Sequence, residues 1–388
     1  MEKERLFTGN FIATSVVNFV LTLSMYLMLV TMASYAMSVY HASTSLGGLV
    51  ASIFIIGSVI GRLLAGRLIN QLGLIRMLWF GMALFLVMTL CYFFATSLVS
   101  LMVVRFFHGL GFGVATTATG TIISLIIPAS RAGEGIGYFS LSTVVSTAIG
   151  PLIGIAMMNR LGFTSIFTFS FIIGVLCLIA MFFVKAPPLK KVQSLKGFKL
   201  SDYVEKSALP IALVMFFMAL GYSSVLSFMT NFTAELKMIQ AGSLYFLIYA
   251  LIVLISRPFS GRLLDSRGAN VIVYPSLLLF ALGFAILSQA TTMSFVLLAA
   301  LIMGLGYGNF QSTTQALAVK LAPKERMGLA NSTYFICLDL GYGIGPFLLG
   351  YIIPASGFHG VYLGLACYVL LGMGLYYVLH GRKERQST

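Results

Sequence analysis

The chain has 388 residues, 59% of them hydrophobic and only 9% charged, whereas a soluble domain is about half apolar and about a quarter charged. That balance excludes a water-soluble globular protein, and apolar runs of about 20 residues are what a helix needs to cross a bilayer. The formal charge of +14 calls for no nucleic-acid partner, because nearly all the cations sit in one set of turns.

Apolar runs predict twelve spans, near 9–38, 45–68, 75–96, 98–127, 135–158, 163–185, 208–234, 241–264, 271–291, 293–319, 328–352 and 358–380. The expected fold class is an all-α membrane protein. Met1 to Arg5 precede an uncharged stretch too long for a cleaved signal, so the first span is read as retained. The turns after spans 2, 4, 6, 8 and 10 carry Arg62, Arg67, Arg76, Arg131, Arg257, Arg262, Arg267, Lys320, Lys324 and Arg326, together with six lysines between Lys185 and Lys206. The opposite turns carry only Arg160 and Lys237. By the positive-inside rule both termini are expected in the cytoplasm of a cell containing this protein in its plasma or inner membrane. Cys91, Cys177, Cys337 and Cys367 lie singly in different spans, without metal-type spacing, and read as small apolar fillers.

The second half repeats the first at a constant offset of 195 positions: Gly66 and Gly261, Gly109-x-Gly111-x-Gly113 and Gly304-x-Gly306-x-Gly308, Arg131 and Arg326, Gly150-Pro151 and Gly345-Pro346. Two like-built membrane halves are the architecture of a transporter. The expected domains are six-helix bundles at 1–185 and 208–388, joined by a cytoplasmic linker at 186–207 that contains Pro187-Pro188 and little apolar periodicity.

In each half the turn after the second span repeats one motif. It reads Arg62-Leu-Leu-Ala-Gly66-Arg67-Leu-Ile-Asn70-Gln-Leu-Gly73 in the first half and Arg257-Pro-Phe-Ser-Gly261-Arg262-Leu-Leu-Asp265-Ser-Arg-Gly268 in the second. Here the chain resembles the major facilitator superfamily, whose signature loop runs Gly-x-Leu-x-Asp-Arg-x-Gly-Arg. Gly permits close helix approach, and the acid with a neighbouring Arg can tie helix ends together as a gate. Asn70 departs from the pattern where Asp265 keeps it, so the first copy is expected to hold more weakly. Gly150-Pro151 and Gly345-Pro346 are similar to the Gly-Pro motif of family antiporters, which bends a helix by removing a backbone donor. The resemblance implies the twelve-span drug:proton antiporter branch.

In the resembled family spans 1, 4, 7 and 10 line a central cavity. Span 1 offers Asn18, Thr22 and Tyr26 at three- and four-residue steps. Span 4 offers Arg105, His108 and Phe112, span 7 Tyr222, Ser223 and Ser227, and span 10 Tyr307 and Asn309, with Tyr342 following on span 11. Arg105 can anchor an anionic substrate, pair with Asp339, or cap backbone carbonyls of span 1. His108 can relay protons or simply hydrogen-bond. Glu134, opening span 5, suits a helix N-terminus.

Of ten acids, Asp339 alone falls well inside a span, where a carboxylate costs about 2.5–3.5 kcal/mol. Hydrocarbon favours its neutral form, so its protonation can follow exposure to one side or the other, and it is the expected proton-coupling residue. No zinc helix, phosphate loop or Cys/His cluster is present in the sequence, so neither catalysis nor a cofactor is expected. The expectation is a monomeric, proton-driven exporter of small amphipathic molecules in the lipid bilayer. An importer or symporter of a metabolite and a lipid-handling transporter remain open beside it.

Overall fold

A chain crossing hydrocarbon must satisfy its own backbone N–H and C=O groups, and a helix does so within each span. The computed structural model describes residues 5–42, 44–187 and 203–382, and these contain helices, turns and no strand. The middle of the expected linker, 188–202, lies outside the described residues, as do Lys3, Lys383 and Arg385. In chain order the helices are α1 (Gly9–Tyr40), α2 (Thr44–Leu72), α3 (Leu74–Cys91), α4 (Leu98–Ile126), α5 (Ala132–Leu161) and α6 (Phe163–Met181). They continue with α7 (Leu209–Glu235), α8 (Ile239–Arg267), α9 (Asn270–Ser288) and α10 (Met293–Lys320). The last helical stretch, Met327–Tyr376, contains one non-helical residue, Gly357. It divides there into α11 (327–356) and α12 (358–376).

Eleven stretches of the described residues are long and apolar enough to cross a membrane. They omit the first part of α11, where Asn331, Ser332, Thr333 and Asp339 dilute the apolar run. The expected all-helical membrane fold is thus present, with α11 as its most polar span.

Four helix-to-helix joints turn on a glycine with the same backbone shape, which is the whole joint in three of them and is followed by Ala269 in the fourth. Gly73 has φ 89° and ψ 149°, Gly162 78° and 174°, Gly268 81° and 178°, and Gly357 66° and 172°. This region is essentially closed to any residue with a Cβ. Gly73 pairs with Gly268 and Gly162 with Gly357 at the 195-residue offset, so the internal repeat is written into the backbone angles.

Within the first half, α2 and α4 approach until their backbones touch. A Cβ at Gly57 would lie 2.0 Å from the Phe106 carbonyl oxygen, and one at Gly109 2.0 Å from that of Phe54. One at Gly61 would meet Leu110 O at 2.3 Å, and one at Gly113 would meet Ser58 O at 2.2 Å. Two small-residue ridges, Gly57-x-x-x-Gly61 and Gly109-x-x-x-Gly113, therefore interlock, which is how helices gain close packing where water supplies no drive to associate. The second half lacks the partner ridge, with Ile252 and Ser256 at the corresponding places. There Gly304–Gly308 forms a π-helical turn inside α10.

The described chain forms two compact units. One gathers 1–128, 145–205 and 322–336, and the other 129–144, 206–321 and 337–388. The beginnings of α5 and α11 thus belong to the unit built mainly from the opposite half. Glycine accounts for the first case: a Cβ at Gly261 of α8 would lie 2.6 Å from Glu134 Cα of α5.

The joints can be separated from packing by two substitutions at open positions. A Cβ at Gly162 or at Gly364 would meet nothing within 4 Å, but only Gly162 has positive φ. Gly162→Ala is expected to cost about 1–3 kcal/mol. Gly364→Ala, on a helix face, should be neutral or stabilise by up to about 1 kcal/mol. Thermal unfolding of the purified protein in detergent measures both.

Candidate functional site: two latches and a polar interior

The two copies of the turn motif build different structures. In the second copy the carboxylate of Asp265 accepts from the backbone N–H groups of Gly133 at 2.8 Å and Glu134 at 3.1 Å. A carboxylate is thereby held at the N-terminus of α5, where the helix dipole favours negative charge. Glu134 in turn accepts from Arg131 Nε at 2.8 Å and Arg262 Nε at 3.2 Å. The hydrogen bond to Glu134 also stabilises the charged Arg131 guanidinium beyond its ordinary range. Glu134 is therefore more than a helix-end acid: it joins α8 to the turn before α5. Gly261 permits the approach, and Gly268 turns the chain immediately afterwards.

In the first copy Asn70 sits where Asp265 would be, and its polarity is reversed. Its Nδ2 donates to the Glu325 carbonyl at 3.2 Å. Gly66 again marks the close contact, since a Cβ there would lie 3.0 Å from Ser332 Oγ of α11. Ser332 Oγ donates to the Arg62 carbonyl at 2.7 Å, and Gly73 makes the joint to α3. Arg326 pairs with Glu205, a partner that no spacing rule in the sequence indicates.

The Gly-Pro motifs also act through packing. A Cβ at Gly150 would lie 2.8 Å from Tyr26 Cβ of α1, and one at Gly345 2.0 Å from Ser223 Oγ of α7. Pro151 lies inside α5 without interrupting it, and Pro346 lies within α11. Tyr26 and Ser223, expected on a cavity wall, are thus pressed against Gly150 and Gly345. Ser223 Oγ is satisfied by the Leu220 carbonyl at 2.6 Å, while Ser227, one turn further, is exposed.

Asn18 and Thr22 form a buried polar link in the first unit. Thr119 Oγ1 of α4 donates to Asn18 Oδ1 at 3.2 Å, and Thr22 Oγ1 lies 2.9 Å from Ser146 Oγ of α5. Arg105 and His108 lie deeper, in the packing of α4 against α2 and α3. Arg105 Nε donates to the Val50 carbonyl at 3.1 Å, and its guanidinium lies 4.6 Å from the centre of the Phe54 ring. The capped carbonyl belongs to α2 rather than to the first span, because the glycine ridges draw α2 onto α4.

His108 is fully enclosed, with Nδ1 2.9 Å from Tyr92 Oη and Nε2 3.2 Å from Thr89 Oγ1. Thr89 gives its proton to the Phe85 carbonyl, so Nε2–H donates to Thr89 and Tyr92 donates to Nδ1. A second ring proton would have to displace the Tyr92 hydrogen. This geometry places Arg105 and His108 in a packed network instead of an open wall. Phe112 packs beside them, tilted against Phe54 and 5.6 Å from the Arg62 guanidinium.

The second unit holds an aromatic cluster around Tyr222. Tyr307, on the π-helical turn of α10, stacks on it at 4.0 Å between ring centres, and Tyr307 Oη lies 2.8 Å from Tyr342 Oη of α11. Asn309 accepts from Ser260 at 2.9 Å and donates to Ser256 at 3.0 Å, tying α10 to α8. Asp339 is partly buried on α11, one helical turn before Tyr342 and on the same face.

The sequence pattern of the Major Facilitator Superfamily matches residues 14–346 and, as a second match, 211–388. The chain belongs to the major facilitator superfamily. It is thus a secondary transporter in a multi-pass membrane fold. An uncharacterized MFS-type transporter of Methanocaldococcus jannaschii is 26% identical over 289 residues, covering 71% of this chain and 74% of that protein. An uncharacterized MFS-type transporter of Burkholderia mallei is 25% identical over 283 residues, covering 72% and 68%. Among solved structures, the human organic anion transporter TETRAN aligns at TM-score 0.77 and 14% identity, over 95% of this chain and 98% of its own. The proton:xylose symporter XylE aligns equally at TM-score 0.77 and 14% identity, over 96% and 95%. At that identity the likeness is one of fold.

The enclosed histidine yields a test. His108→Phe removes a partner from Tyr92 and Thr89 and should cost about 1–3 kcal/mol, read as a lower melting temperature. Transport by the remaining folded protein should keep the wild-type pH profile. A shifted profile at unchanged stability would make His108 a proton carrier.

Proposed function

We propose that this major facilitator is a proton-coupled exporter of small amphipathic molecules that works by alternating access. Asp339 carries the reading. It is an acid well inside a span, one turn from the hydroxyl pair of Tyr307 and Tyr342. It also lies six residues before Gly345-Pro346, the motif resembling that of family antiporters. A carboxylate at membrane depth is retained for function far more often than for stability.

In the proposed cycle, substrate loads from the cytoplasm onto polar and aromatic side chains near Asp339, chiefly Tyr222, Tyr307 and Tyr342. Protonation of Asp339 from outside favours release, and loss of that proton to the cytoplasm resets the cycle. The two ligands must prefer opposite states, since a ligand that binds both equally shifts nothing. Both termini are cytoplasmic in this reading, in agreement with the distribution of basic turns, and the protein acts as a monomer.

The nearest alternative is proton-coupled import. The equal likeness of fold to an organic anion transporter and to a sugar symporter favours neither direction, because direction is set by the site and not by the fold.

The test is Asp339→Asn reconstituted in proteoliposomes. Transport driven by an imposed pH gradient should be lost, while exchange of labelled for unlabelled substrate across the same membrane persists. Gradient-driven transport at the wild-type rate rejects Asp339 as the coupling group. Accumulation of substrate on the proton-rich side identifies an exporter, and accumulation on the opposite side identifies the importer.

A further inference from the structure

The two latches differ in a way that the internal repeat makes legible. The second is built from two arginines and two acids: Arg131, Arg262, Glu134 and Asp265. At the 195-residue offset the first retains both arginines, as Arg326 and Arg67, but has Leu329 for Glu134 and Asn70 for Asp265. The first latch thus keeps both cations but neither acid at the repeat positions.

The missing groups come from the end of the linker. The carboxylate of Glu205 accepts from Arg326 Nε. The Glu205 backbone N–H donates to Thr333 Oγ1 of α11 at 2.9 Å. Tyr203 Oη accepts from Arg67 Nη1, and the Tyr203 ring lies 5.0 Å from the same guanidinium. Glu205 is buried, with 7% of its side chain exposed. A carboxylate is held out of water in this way only when its partners are in place. Glu205 thus stands to Arg326 as Glu134 stands to Arg131, and Tyr203 to Arg67 as Glu134 stands to Arg262.

We infer that the linker segment 203–205 is the acid-bearing half of the first latch, a gating strap whose key residue is Glu205. The inference rests on the transport reading, in which the latches open and close. Two features separate the strap from an incidental surface pair. It engages both arginines of the first latch at once, and its backbone is tied to α11 independently of the charges. In the second unit, by contrast, the latch acids belong to α5 and α8 themselves. The first latch therefore opens only if a connector lets go.

Hydrogen–deuterium exchange on the full-length protein tests this without substrate. Glu205→Gln should speed exchange in 322–336 about five- to tenfold, the effect of losing one charge-assisted hydrogen bond of about 1–1.4 kcal/mol, and leave 129–144 unchanged. Glu134→Gln should do the reverse. Adding Leu329→Glu to Glu205→Gln puts the acid where the second latch has it, three residues after Arg326, and should restore slow exchange. Unchanged exchange at 322–336 in Glu205→Gln, or no recovery with Leu329→Glu, overturns the strap. Transport turnover is measured on the same samples. Faster exchange with wild-type turnover shows a strap that does not gate and also overturns the inference. Wild-type protein that moves no protons or substrate defeats the transport reading instead, and leaves the exchange result standing.

Discussion

A polar group in hydrocarbon has no water to turn to, and it is costly there unless it finds a partner in protein. Helices meet the requirement for the backbone. For side chains the requirement decides where helices touch. His108 is met by Thr89 and Tyr92, Arg105 by the Val50 carbonyl, Thr119 by Asn18, and Asn309 by Ser256 and Ser260. Each pairing joins two different helices, so satisfying polarity and fixing the packing are one event. The glycine ridges of α2 and α4 make this possible in the first half by bringing backbones close enough for Arg105 to reach across.

Charge is arranged differently at the turns. There water is at hand, and an ion pair contributes little unless it is partly enclosed and well aligned. The two ion-paired acids meet that condition, since Glu134 and Glu205 have only 6% and 7% of their side chains exposed. Such contacts are of a strength that can bias one arrangement of helix ends and still be broken, as the proposed cycle requires. Much of the grip at Asp265 comes from backbone amides, which cannot be mutated away.

Much of this was legible in the residues alone. The helical class, the span positions, the repeat and both turn motifs follow from apolar run length, glycine spacing and the side on which cations fall. Asn70 was readable as the departure from the acid kept at Asp265. What escaped is instructive in physical terms. Tyr203 and Glu205 lie 136 and 121 positions from Arg67 and Arg326, and a lysine-rich connector shows no periodicity by which to place them. The signal was present as a deficit: two arginines kept and two acids lost at the repeat offset. The π-helical turn at Gly304–Gly308 was equally hidden, because the same glycine spacing gives a straight ridge in α4. Arg105 and His108 carry polar groups suited to a wall, but side-chain type does not say which face of a helix its neighbours cover.

The glycine joints have a mechanical consequence. With one or two residues carrying each reversal, the joined ends of α2 and α3, α5 and α6, α8 and α9, and α11 and α12 cannot separate. These eight helices are therefore tied end to end as four hairpins. Asn70 and Asp265 stand three residues before two of those elbows, where a small torque is felt along both arms.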